Sequence, residues 1–209
     1  MTSARASAAQ ILRRAARGAR ALRDDARASA AVETALILPI ALTMFALLIY
    51  GAEAFAIQRK VTLTARTVTD LVTQATPTLF NGGASTVVAS SIDNLLCAAS
   101  AVIAPYAAAN TTMVVSEVQV SSSDPTKATV LWSEPYNGAT ARPLSQTITL
   151  PTGLGVGQLG NYLVLGEVYY NYTPINLFTP VSAMTLHDSI YLTPRQSLSI
   201  TCTDCATHS

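Results

Sequence analysis

The sequence predicts an α+β protein: a long amino-terminal transmembrane and stem helix, a second helix, then an antiparallel sheet of about four to five strands. Three observations predict it. Residues 34–52 carry no charge, apolar residues then recur at spacings of four and three as far as Ile103, and beyond Asn110 the apolar period becomes two. At 209 residues the chain has room for one domain plus accessory segments. A hydrophobic share of 50% beside 12% charged residues exceeds what a soluble domain usually shows, so some apolar surface is expected to face lipid.

Taken in order, residues 1–28 are a basic leader. Arg5, Arg13, Arg14, Arg17, Arg20, Arg23 and Arg27 all precede the apolar run, although the net charge of the whole chain is only +1. Residues 29–57 form the expected transmembrane helix. The uncharged part rises roughly 28 Å at 1.5 Å per residue, close to the ~30 Å thickness of a hydrocarbon core. Glu33 and Glu53 stand near its ends, where a carboxylate reaches headgroups or water. The leader arginines outweigh Arg59, Lys60 and Arg66 beyond the span, so the amino terminus is expected in the cytoplasm and the rest on the far side. Pro39 lies in the first turns and is expected to kink the helix without breaking it.

Two other readings of this region are weaker. Ala52-Glu53-Ala54 and Ala54-Phe55-Ala56 have the small-x-small form of a signal-peptide cleavage site, but the basic region and the apolar run are both too long for a signal. The Arg- and Ala-rich start resembles a mitochondrial presequence until Asp24 and Asp25 interrupt it.

Past the span, Ile57, Val61, Ala65, Val68, Val72 and Ala75 form one stripe, so the helix is expected to continue as a stem over residues 58–76. Its other face is rich in threonine (Thr62, Thr64, Thr67, Thr69, Thr73), which lowers helix propensity and leaves packing to hold the stem. Pro77 and Asn81-Gly82-Gly83 end it, and residues 77–209 form the head. Ser85 is a candidate N-cap for a second helix with Val88, Ile92, Leu95, Ala99 and Ile103 on its buried face and Pro105 closing it. Cys97 points away from that face.

Strand periodicity follows. Val114, Val118 and Val120 are expected on one side of a first strand, and Ala128, Val130 and Trp132 on one side of a second, with Ser123-Asp124-Pro125 turning between them. Further strands are expected at residues 147–150, 161–172 and 189–192. In the second of these, Leu163-Val164-Leu165 and Val168-Tyr169-Tyr170 are apolar on both faces, as in an interior strand.

The order of certain motifs adds a resemblance. Ala31-Val32-Glu33-Thr34-Ala35-Leu36-Ile37-Leu38-Pro39 after an Arg-rich leader resembles the opening of TadE/TadG-like proteins of bacterial tight-adherence (Tad) pilus systems. The stem with Arg66, the segment Leu165-Gly166-Glu167-Val168-Tyr169-Tyr170-Asn171-Tyr172-Thr173-Pro174 and the ending Ile190-Tyr191-Leu192-Thr193-Pro194-Arg195 are similar to the same family, and together they span most of the chain. The resemblance implies a pilin-like fold and a noncatalytic, minor pilin-like component of the bacterial inner membrane. Its head would be periplasmic, and its partners other minor pilins and assembly-platform proteins of a Tad system. Some family members are trimmed by a prepilin peptidase after a glycine that lies five residues before a Glu followed by an aromatic. With Glu33 as that acid, the scissile bond would join Ala28 to Ser29. This chain departs from the motif at Ala28 and at Thr34. The alternative for Glu33 is that it marks the inner headgroup boundary.

Other chemistry is sparse. The three cysteines lie on the far side, where disulfides form. Cys202 and Cys205 have CxxC spacing, but they follow a strand-like run instead of opening a helix, which disfavours a redox centre. A disulfide from Cys97 to Cys202 or Cys205 would cover the outward thiol and tie the carboxyl terminus to the head, closing a loop worth up to ~4–5 kcal/mol. Cys202, Cys205 and His208 supply only three zinc ligands, so no metal is expected. Gly153-Leu154-Gly155-Val156-Gly157 lacks the setting of a dinucleotide fingerprint and reads as a loop. From Asp70 onward acids outnumber Lys127, Arg142 and Arg195, which argues against nucleic acid. No cofactor, small-molecule substrate or enzymatic activity is expected. Val61, Ala65, Val68 and Val72 are the candidate helix-contact positions toward partners, against the alternative that they pack on their own head. The rival functional class is a secreted or membrane-tethered periplasmic binding domain unrelated to pili.

Overall fold

A computed structural model describes residues 18, 26–74, 86–87, 89–174, 182–202 and 205. The expected stem terminator at Pro77 and Asn81-Gly82-Gly83, the N-cap Ser85, Val88 and most of the basic leader lie outside the described residues.

One helix, α1 (Ala26–Thr73), runs through Pro39 without interruption. Two compact units divide within it, after Gly51. Described by itself, the first is the apolar part of α1. The second contains the rest of α1 together with β1 (Thr86–Val87), α2 (Ala89–Ser100), β2 (Thr111–Val120), β3 (Lys127–Tyr136), β4 (Thr147–Thr149), β5 (Tyr162–Tyr172), β6 (Met184–Leu192) and β7 (Thr201–Cys202).

Strands β2 to β6 form an antiparallel sheet in the order β4-β3-β2-β5-β6, while β1 and β7 pair in parallel as a separate ribbon. This is the α+β layout the sequence predicts. β5 lies inside the sheet, as its two apolar faces require. Its even-numbered residues Val164, Val168, Tyr170 and Tyr172 meet α1, α2 and the carboxyl-terminal segment in one core. Its odd-numbered Leu163 and Leu165 belong to a second core with Val118, Val120, Ile148 and Leu150 on the opposite face.

The helix comes very close to the sheet. A Cβ on Gly166 would collide with the Thr69 side chain, so only glycine lets α1 lie this near β5. Thr64, Thr69 and Thr73 are fully buried, not on an outer face as the stem's spacing suggested. Burial is tolerated because each hydroxyl donates back along the helix, Thr64 to the Lys60 carbonyl at 2.9 Å and Thr69 to that of Ala65 at 2.7 Å.

The second strand corrects another expectation. Pairing jumps from Glu117↔Trp132 to Val118↔Val130, leaving Leu131 as an extra residue in β3. One extra residue reverses side-chain parity. Ala128 and Val130 therefore belong to the second core, while Trp132 lies with α1 and α2 on the other side of the sheet. In α2 the core residues are Ile92, Leu96 and Ala99, with Ile103 in the short 3-10 turn that follows. Leu95, expected in the centre, is only partly buried.

Candidate functional site

Most of the apolar part of α1 is exposed, although Ala46 is buried and Thr43 and Tyr50 are half-buried. Leu36, Ile37, Ile40, Met44 and Phe45 each leave more than half of their surface open, and Leu48 leaves 71%. A helix whose large apolar side chains stand mostly exposed over such a length is shaped for lipid. α1 is long and apolar enough to cross a membrane. Ala28 and Ser29, the residues flanking the implied processing point, fall in the first turn of α1, and Glu33 follows one turn later.

Further along, the candidate contact stripe has a different use. Val61, Ala65, Val68 and Val72 are 0–1% exposed inside the head's own core, with Met113, Val115 and Val164 of the sheet. They are thus unavailable to partners, which corrects their expected role: Gly166 brings the sheet onto this stripe. Polar residues beside it fix the helix to β6 and the following turn. Thr62 donates to Asp188 at 2.5 Å, Gln58 to the His187 carbonyl at 3.2 Å, and Arg195 pairs with Asp70 at 2.8 Å.

The cysteines also depart from expectation. Cys202 is bonded to Cys205, with Cα atoms 5.5 Å apart, and Cys97 is exposed on α2 with a free thiol. β7 lies beside β1, where Cys202 pairs with Val87, and Cys205 is buried in the head's main core. The carboxyl-terminal segment is thereby held through its backbone and core contacts, not through Cys97.

Among the described residues three buried carboxylates, Glu117, Glu134 and Glu167, went unseen in the sequence. Glu117 is 1% exposed. It accepts the Ile200 N–H at 2.7 Å and the Trp132 indole N–H at 3.0 Å. Burial pushes its pKa up to about 7, while the Ile200 and Trp132 hydrogen bonds pull the other way. Glu167 lies on the opposite face. Arg142 grips it with Nε on Oε2 at 2.6 Å and Nη2 on Oε1 at 2.8 Å, and the Tyr169 hydroxyl donates to Oε1 at 3.1 Å. The His187 ring stacks on Tyr169 with centroids 4.3 Å apart. Burial first, and then the Glu167 charge, raise the Tyr169 pKa, so its hydroxyl stays protonated and donates. Arg142, Glu167 and Tyr169 border a hollow of about 370 Å³ that also touches Thr112, Gln146 and the 139–143 loop. A saturated Arg–Glu pair holds that loop to the sheet; a nucleophile activated by a neighbouring base is a different arrangement.

No family model, curated protein or solved structure matches this chain.

Proposed function

We propose that this protein is a noncatalytic, minor pilin-like component of a Tad-type pilus assembly system, anchored in the bacterial inner membrane. Its leader is cytoplasmic and its head periplasmic. The observation that carries the reading is the double use of α1. One helix presents a largely exposed apolar surface before Gly51 and contributes to the core of a five-stranded head after it. The ordered motifs from Ala31 to Arg195 supply the rest of the support, and the leader arginines support the orientation. In this reading the anchor engages other minor pilins or the assembly platform, and the head makes protein contacts in the periplasm.

The test is deletion of the gene in its native host, with complementation by the wild-type chain. Loss of pili and of surface adherence, both restored by complementation, is the expected result. Normal piliation in the deletion strain overturns the reading. Extraction of the native chain by carbonate, or cytosolic activity of a reporter fused after Ser209, would overturn the anchor and its orientation separately.

A further inference from the structure

Opposite its buried stripe, the head part of α1 carries a groove of about 470 Å³, with Phe55, Arg59, Lys60 and Leu63 on the helix and Pro105 and Tyr106 as the other wall. At 100° per residue Phe55, Arg59 and Leu63 share a face roughly 180° from Val61 and Val68. Phe55 is 76% exposed and Leu63 50%. Among the described residues no acid lines the groove. Glu53, the nearest carboxylate along the helix, points elsewhere and accepts the Tyr172 hydroxyl at 2.9 Å. Lys60 is oriented by donating to the Val102 carbonyl at 3.3 Å, whereas the exposed Arg59 guanidinium has no ion pair among the described residues.

Distance along the helix says what this groove meets. Arg59 follows the last residue of the uncharged stretch by seven positions, about 10 Å at 1.5 Å per residue. The headgroup layer is about 5–7 Å deep beyond the hydrocarbon, and helical side chains lean back toward the amino terminus. An arginine at this position therefore reaches back into the phosphate layer.

Resting on the membrane reading above, we propose that the groove binds an anionic glycerophospholipid. Its phosphodiester sits on Arg59 and Lys60, its acyl stems run back along Phe55, and Tyr106 lies at the interface as aromatic residues of membrane proteins do. The lipid then seats the head at a fixed height on the bilayer.

The test uses the full chain in nanodiscs, made either of phosphatidylcholine alone or with phosphatidylglycerol added. Native mass spectrometry counts the lipids retained after gentle release. The wild type is expected to retain phosphatidylglycerol in preference to phosphatidylcholine. Arg59→Gln should cut that retention about fivefold, one basic residue's share of the attraction to anionic lipid. Arg59→Lys should keep most of it, and Arg66→Gln, two turns further from the apolar stretch, should leave it unchanged. Equal loss in Arg59→Gln and Arg66→Gln, no preference for phosphatidylglycerol, or a second copy of the chain in place of lipid overturns the proposal. A wild-type chain that enters neither nanodisc overturns the membrane reading itself.

Discussion

Ile200 donates its backbone N–H to Glu117 Oε1 at 2.7 Å, so the segment leading into β7 is held by a carboxylate buried beneath the sheet. The chain's one tryptophan shares the arrangement, its indole N–H lying between Glu117 and the Ile200 carbonyl. Fluorescence therefore reports on this site directly.

Glu117 makes stability depend on pH in a direction opposite to that of an ordinary salt-bridged carboxylate. Its folded pKa of about 7 lies above the usual 4.5, so the native state holds the extra proton between those values. The contribution is complete below pH 4.5 and is lost as pH rises through about 7, a change of about 3 kcal/mol. Urea unfolding of the detergent-solubilised chain, followed by Trp132 fluorescence, should show stability falling across that window. Glu117→Gln should remove the fall; a wild type whose stability rises over the same window contradicts the assignment.

The contact between Gly166 and Thr69 sets how closely α1 meets the sheet. Gly166→Ala inserts a methyl group where the Thr69 side chain already is, and should cost about 1–3 kcal/mol. Adding Thr69→Ala should recover part of that loss, because the two changes share one space. A double-mutant cycle in urea measures the coupling, and strict additivity would mean that helix and sheet do not meet here.

What the sequence disclosed follows from where period and composition act alone. The unbroken α1, the second helix and the antiparallel strands all rest on regular spacing, and all are present. Parity failed at Trp132 because one extra residue, Leu131, is invisible to a count of alternating residues. The threonines failed because a hydroxyl that bonds to its own helix is buried at little cost, which no polarity pattern registers. The Arg142–Glu167 pair joins a loop to a strand 25 residues away, and nothing local announces it. The apolar surface around residues 34–52, by contrast, was legible because absence of charge over that length has few other uses.

Arg142 and Glu167 are matched enough that removing one partner should be worse than removing both. Arg142→Ala leaves a 5% exposed carboxylate without its two charged donors and should cost about 2 kcal/mol, less than for a fully buried pair because the arginine is 29% exposed. Arg142→Ala with Glu167→Gln should be more stable than Arg142→Ala alone. Chemical denaturation of the three variants checks the order; a double variant weaker than the single one would show that the pair contributes by shape and not by charge.

Thiol accessibility separates the two disulfide arrangements. With Cys202 bonded to Cys205 and Cys97 exposed, one alkylation is expected on the native chain without reductant, at Cys97, and peptide mapping should join Cys202 to Cys205. The bond spans a separation of only 3 residues, so it restricts the unfolded chain little. Loop-closure entropy assigns it about 2 kcal/mol, against ~4–5 kcal/mol for a bond from Cys97 to the tail. The paired change Cys202→Ser and Cys205→Ser should therefore lower stability modestly while leaving Cys97 reactive. Protection of Cys97 in the oxidised wild type, or a fall near the larger figure, would mean that the tail is tied to α2 after all.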